Sequence, residues 1–267
     1  TLMGAILERS GLAEDLLEGF AQLFGGLSGG LAYAVILVGA ILGAITGTVA
    51  ASVIAMGVIA LPVMIRYGYN PRLATGVIAA SGTITQVIPP SLVLIVLADQ
   101  LGKSVGDMYL GAIGPSIAQI LIFITFIMLL SWFNPKLMPP QPKELRTTMG
   151  WPLVKKMMHG ILPSLGLIFI VLGTIFMGLA TPTEAGAMGV AGAIGLALSQ
   201  RRFSWIMLWQ GMDATMRVTV MVIFILIGAS VFTLVFQGVD GGVWVEHLFR
   251  VAGADDAVSF LIVVNII

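Results

Sequence analysis

The chain has 267 residues with 13 basic and 13 acidic side chains, so its formal net charge is zero. Hydrophobic residues make up 58% and charged ones 10%, with a mean hydropathy of +1.05, whereas a soluble domain carries about 25% charged residues. With zero net charge nothing points to a nucleic-acid partner, and the absence of cysteine excludes thiol chemistry, disulfides and cysteine metal sites.

Apolar runs of spanning length recur, with Ile161–Ala180 and Val218–Gln237 the clearest. The class is therefore an all-α polytopic membrane protein, not a barrel of short alternating strands. Both ends, TLMGAIL and LIVVNII, lie inside apolar stretches, which reads as an internal piece of a longer protein.

In chain order, Thr1–Leu7 reads as the tail of a span. Glu8–Phe24 places Leu12, Leu16, Leu17, Phe20 and Leu23 among acids at helical spacing, which suits an interfacial helix. Residues 1–26 form that first region. Leu27–Ile65 is apolar and uncharged, too long for one ordinary span, and Thr46-Gly47-Thr48 divides it into two arms. Either it is one span with an extension, or a re-entrant hairpin whose tip lies at the glycine. Non-helical backbone at membrane depth is tolerated only where protein or a cavity surrounds it.

Leu73–Ala98 is interrupted by SGTITQVIPPS. Proline lacks an N–H and clashes with the carbonyl one turn back, so Pro89-Pro90 frees carbonyls near Thr85 and Gln86 and breaks the helix. Gly82 eases the unwinding. Ser81, Thr83, Thr85 and Ser91 add hydroxyls. Uncharged oxygen ligands suit a dehydrated monovalent cation better than a transition metal. The alternative is a proline kink whose hydroxyls bond neighbouring backbone. Two interrupted apolar segments in succession resemble a transporter site, where half-helix ends face cations and anions near the midplane.

Tyr109–Leu130 follows as a span, then the basic, proline-rich loop Ser131–His159 with an interfacial piece, WPLVKKMMH. After Ile161–Ala180 comes ATPTEAG, in which Glu184 is either an intramembrane functional acid or, at this spacing, the partner of a Thr181 or Thr183 cap. Gly186–Ser199 is short and rich in small residues. Phe203–Met216 looks interfacial, Val218–Gln237 spans, Gly238–Asp256 is an acidic loop, and Ala257 opens another span. Placing the basic loop 131–160 in the cytoplasm puts Arg66, Arg72, Arg201 and Arg202 inside as well, and leaves Lys103 and Arg250 outside.

Enzyme readings fare poorly. A Ser81 nucleophile needs a base, and the two histidines, His159 and His247, fall in loops on opposite sides. No P-loop or dinucleotide fingerprint is present.

The pair GAITGTVAAS and GYNPRLATGVIAASGTITQVIPPS, with LMGAILERSGLAEDL before and GLATPTEAGAMG after, resembles the large membrane subunit of TRAP transporters (tripartite ATP-independent periplasmic transporters). The resemblance spans essentially the whole chain. It implies an elevator-type, sodium-coupled permease of the bacterial inner membrane that imports a small organic acid. It also implies two partners: a periplasmic substrate-binding protein and a small membrane subunit, separate or fused. Residues 27–108 would then be transport-domain elements and 109–267 a connecting arm and scaffold, with one of two inverted repeats present.

By the same resemblance the sodium ligands are Thr46, Thr48, Ser81, Gly82, Thr83, Thr85, Ile88 and Pro90. The substrate would touch Gly47, Pro89 and Ser91, and Na+ would be the coupling ion with no other cofactor. Thr46 and Thr48 stand where family members often have serines, and Val49 removes a further tip hydroxyl. On this reading Thr83→Val weakens sodium activation strongly. The alternatives are a related carrier that needs no binding protein, and a non-transporting membrane scaffold whose breaks bind no ion.

Overall fold

The computed structural model describes residues 1–47, 49–142, 151–252 and 256–266. Within them every regular element is a helix: α1 (Leu2–Leu7), α2 (Ala13–Phe24), α3 (Gly30–Thr46), α4 (Val49–Arg66), α5 (Pro71–Thr83), α6 (Leu92–Leu101), α7 (Val105–Phe133), α8 (Trp151–Phe176), α9 (Pro182–Ser199), α10 (Trp205–Gly238), α11 (Gly241–Val251) and α12 (Ala257–Ile266). Three of them, α4, α7 and α10, are long and apolar enough to cross a membrane. Their outward side chains are apolar, such as Phe126 and Phe224, the latter 76% exposed. That is the surface a bilayer requires, so the architecture fits a polytopic membrane protein. The chain divides into two compact units, Thr1–Thr215 and Met216–Ile267.

In the first unit, α3 and α4 follow one another beyond Gly47 and pack together as a helical hairpin. Its open end is held by the stretch after α7. Met138 is fully buried, and its carbonyl accepts from the Gly29 N–H at 3.0 Å and from Ser28 Oγ at 2.8 Å. The Leu137 carbonyl accepts from Asn70 N at 3.0 Å, and Gln141 N donates to the Gly25 carbonyl at 2.9 Å. One short segment thus ties together the turns that precede α3 and α5. Asn70 and Pro71 start α5 as an N-cap and first-turn proline, with Asn70 Oδ1 accepting from Arg72 N at 3.0 Å.

Tyr69 closes the same end. It is 3% exposed, and its hydroxyl accepts from Leu31 N, an otherwise orphaned donor in the first turn of α3, at 3.1 Å. Tyr69→Phe strands that buried donor. We expect a loss of about 1–3 kcal/mol, the cost of a buried unsatisfied donor, read as a lower unfolding midpoint of the full-length protein in detergent. An unchanged midpoint would show that water reaches the α3 terminus.

Several boundaries differ from those expected from the sequence. Glu8–Phe24 is not one amphipathic helix: a π-turn over Glu8–Leu12, with Gly11 at φ 78°, separates α1 from α2. Leu16 and Leu17 of α2 are buried, so its apolar face packs on protein. WPLVKKMMH is not a separate interfacial piece but the opening of α8, which runs unbroken to Phe176. From Trp205 onward the expected interfacial piece and the span Val218–Gln237 likewise belong to one helix, α10. In both cases charged residues suggested an interface, yet the backbone stays helical, through Gly160 and Pro163 in α8 and past Arg217 in α10. The loop expected over Gly238–Asp256 contains α11, so His159 and His247 lie in helices, not loops.

Glu184 caps α9. Thr181 Oγ1 accepts from Glu184 N at 3.3 Å, and a Glu184 carboxylate oxygen accepts from Thr181 N at 2.8 Å. This reciprocal capping box fixes the helix start. At the other end of α9, Arg202 meets Asp15 at 2.7 Å and donates to the Ser10 carbonyl at 2.8 Å, fastening α9 to the α1–α2 kink.

The hairpin tip and the broken helix: candidate functional site

Local chemistry dictates both interruptions. Helix α3 stops because Gly47 adopts the left-handed conformation (φ 64°, ψ 8°), with its N–H still bonded to the Gly43 carbonyl at 3.1 Å. That backbone favours glycine. Helix α5 tightens into a single 3-10 turn over Ile84–Gln86 and then breaks ahead of Pro89-Pro90, which are joined by a cis peptide. Carbonyls at the break find side chains. Gln86 O accepts from Ser91 Oγ at 2.7 Å, and Val87 O lies 2.9 Å from Ser116 Oγ of α7. Ser91 also starts α6 as its N-cap, accepting from Leu94 N at 3.5 Å.

The two breaks meet through three glycines of α3 spaced four apart. A Cβ at Gly39 would stand 2.8 Å from Ser81 Cβ, one at Gly43 2.8 Å from Thr85 Cα, and one at Gly47 3.1 Å from the Pro90 carbonyl oxygen. The side of α5 and its 3-10 extension that carries Ser81 and Thr85 therefore rests directly on the α3 backbone. Gly82 packs in the same way against Val53 of α4.

This arrangement sorts the expected site residues. Ser81, Thr85 and Ser91 are fully buried. Pro89 is buried, Ile88 and Pro90 are half-buried, and Thr83 is exposed on another side of α5. Thr46 closes α3, and Thr48 lies outside the described residues. The hydroxyls of α5 and of the 3-10 turn after it each donate to a carbonyl one turn back: Ser81 to Ile78 at 2.9 Å, Thr83 to Ala80 at 2.7 Å and Thr85 to Gly82 at 2.8 Å. Their protons are thus committed to backbone while their lone pairs remain able to face a cation.

The glycine ladder also measures distance. Gly39 and Gly47 are eight residues apart, about 12 Å along the helix. Ser81, seated at Gly39, is thus about two turns from the Gly47–Pro90 contact, while Thr85 is about one turn from it. Gly47 and Pro90 both line a cavity of about 320 Å³ whose walls are otherwise largely apolar.

Sequence reading alone did not single out Gly39, Gly43, Ser116 or Ser52, the last of which is fully buried in the first turn of α4. The signal for the glycines was their four-residue repeat. Ser116 carried none, because its role depends on how α7 folds back along the break.

A family model described as "Tripartite ATP-independent periplasmic transporter, DctM component" matches residues 1–267. The chain is similar to the C4-dicarboxylate TRAP transporter large permease protein DctM of Vibrio cholerae serotype O1, 36% identical over 136 residues, covering 51% of this chain and 28% of that one. The protein of the same name from Pseudomonas aeruginosa is 33% identical over 147 residues, 55% of this chain and 33% of the relative. The 2,3-diketo-L-gulonate TRAP transporter large permease protein YiaN of Escherichia coli K12 is 26% identical over 181 residues, 66% and 40% respectively. The chain spans about a third of the length of these curated relatives.

Proposed function

Because the chain belongs to the DctM family of tripartite ATP-independent periplasmic transporters, whose members are transporters and not enzymes, we propose that it contributes the sodium-binding half-site of a permease that imports a small organic acid. The observation that carries this reading is the contact between the hairpin tip and the broken helix, with Gly47 against the Pro90 carbonyl. Two helix C-termini and two helix N-termini, those of α3 and α5 and of α4 and α6, converge there. Carbonyl-rich ends favour a cation, and N-terminal ends favour a carboxylate.

The hairpin is re-entrant on this reading. Helix α4 alone is long enough to cross, yet the break it packs beside touches α7 at Ser116, eleven residues past Val105. That is about 16 Å from one end of α7 and about 25 Å from the other, a level inside the hydrocarbon core. The hairpin and the broken helix move together as part of an elevator-type transport domain. Sodium orders the tip against the break and completes a carboxylate site next to Gly47, Pro89 and Ser91. Substrate arrives from a periplasmic binding protein, and a small membrane subunit accompanies the permease in the bacterial inner membrane.

The test is thermal unfolding of the full-length permease in detergent across sodium concentrations, with potassium as the replacement at constant ionic strength. A ligand that binds only the folded state stabilises it, by about 2.7 kcal/mol at one hundred times its dissociation constant. We expect a saturable, sodium-specific rise in midpoint. An equal response to both ions, or none, would sink sodium coupling at this site.

A further inference from the structure

An open groove of about 420 Å³ runs between α5 and α7, with Ile36 of α3 at its side. That volume is within the range of ligand pockets. From α5 it is lined by Arg72, Gly76 and Ala80, which stand four residues apart and so share one face of the helix. From α7 come Ile122 and Phe126, 64% and 56% exposed. Gly76 keeps the groove open, since a Cβ there meets nothing within 4 Å. Among the described lining residues Arg72 carries the only charge, and its guanidinium makes no ion pair or hydrogen bond with any described residue. The bond from Asn70 N to the Leu137 carbonyl holds the start of α5 level with the segment just past α7. Phe126 and Ile122 precede Phe133, the last residue of α7, by seven and eleven residues, about 10 and 16 Å along the helix. The cation thus stands at the polar end of the groove, and the apolar walls lie below it at the depth of lipid chains.

We propose that this groove binds an anionic phospholipid of the cytoplasmic leaflet, with the phosphate on Arg72 and one acyl chain lying along Gly76 and Ala80. Charge complementarity decides the occupant. A guanidinium meets a phosphate through two parallel N–H···O bonds, and basic pockets between spanning helices on the cytoplasmic side take acidic head groups. The basic loop after α7 places Arg72 on that side. A zwitterionic lipid brings an ammonium as well, which Arg72 repels, and a free phosphate leaves the apolar walls uncovered. The phosphate position is nine residues from Ser81, about 14 Å along α5, so the lipid does not compete for the ion or carboxylate assigned to the hairpin tip. Any effect on movement of the broken helix would rest on the transport reading given above. The binding itself does not, and it is scored separately from the sodium response.

The experiment uses the full-length permease in phosphatidylcholine vesicles that contain a small fraction of phosphatidylglycerol with a diazirine in one acyl chain. The comparison probe is phosphatidylcholine with the same diazirine chain, and adducts are located by mass spectrometry. Expected are adducts on the peptides that carry Gly76 and Phe126, denser with phosphatidylglycerol than with phosphatidylcholine. Arg72→Gln should lower that ratio about fivefold, the worth of one surface cation toward an anionic leaflet. Gly76→Leu should remove the adducts at Phe126 with both probes, because the new side chain fills the groove without meeting a neighbour. Equal labelling by the two probes in the unaltered protein, or a ratio unchanged in Arg72→Gln, overturns the proposal. Absence of adducts on both peptides overturns it too, and shows that protein covers the groove. Should Gly76→Leu fail to fold, Arg72→Gln decides alone.

Discussion

Gly43→Val should destabilise the permease strongly by forcing the hairpin off the broken helix. A Cβ on Gly43 would lie 2.8 Å from Thr85 Cα, 3.1 Å from Thr85 Cγ2 and 3.3 Å from Thr85 Cβ. The first of these is backbone and cannot swing aside, so α3 and the 3-10 turn after α5 must separate. Overpacking of a tight contact costs about 1–3 kcal/mol, and the larger value applies where backbone must shift. Valine adds two further methyl groups in the same direction. Gly57→Ala is the matched control. It sits in α4 of the same hairpin, a Cβ there meets nothing within 4 Å, and alanine is the better helix former by up to about 1 kcal/mol. The measurement is the unfolding midpoint of full-length variants in detergent, with Gly43→Ala as an intermediate step. We expect the order Gly57→Ala, Gly43→Ala, Gly43→Val from most to least stable. If Gly43→Val unfolds at the same temperature as Gly57→Ala, the close approach of α3 to the break does not exist in the protein.

The same contact marks where sequence reading reaches and where it stops. The division of the hairpin at Gly47 and the breaking of α5 before Pro89 were legible because glycine and proline act on their own backbone. The capping role of Glu184 was legible for a similar reason: Thr181 and Glu184 are three residues apart, and the box closes within one turn. Continuity of α8 and α10 was misread because Lys155 and Lys156, or Asp213 and Arg217, look interfacial by charge. A helix is indifferent to charge, and in α8 it also runs on through Gly160 and Pro163. The sidedness of the α5 hydroxyls was out of reach, since Ser81, Thr83 and Thr85 are equivalent in composition. What distinguishes them is the face that packs on Gly39 and Gly43, a tertiary fact announced only faintly by the glycine repeat.

That sidedness yields a ranking the sequence could not supply. Oxygen ligands of a hard cation stand about 2.3–2.6 Å from it in the best-described cases. A single ion cannot therefore be held by hydroxyls on different rungs and different sides of α5. An ion at the Gly47–Pro90 contact is within a turn of Thr85, about two turns from Ser81, and on another side from the exposed Thr83. We therefore expect Thr85→Val to remove most of the sodium-specific rise in unfolding midpoint. Ser81→Ala and Thr83→Val should keep the sodium response, whatever they do to baseline stability. This departs from the expectation drawn from the motif alone, in which Thr83 was as strong a ligand as its neighbours. Thr85→Val is nearly isosteric, so its main effect is loss of an oxygen and of the bond to Gly82, and Thr85→Ser should restore the response. Loss of sodium dependence in Thr83→Val with retention in Thr85→Val would move the ion to the open side of α5, away from the hairpin tip. Equal loss in all three would mean the substitutions disturb the break itself, and the ion would then have to be located by its backbone ligands.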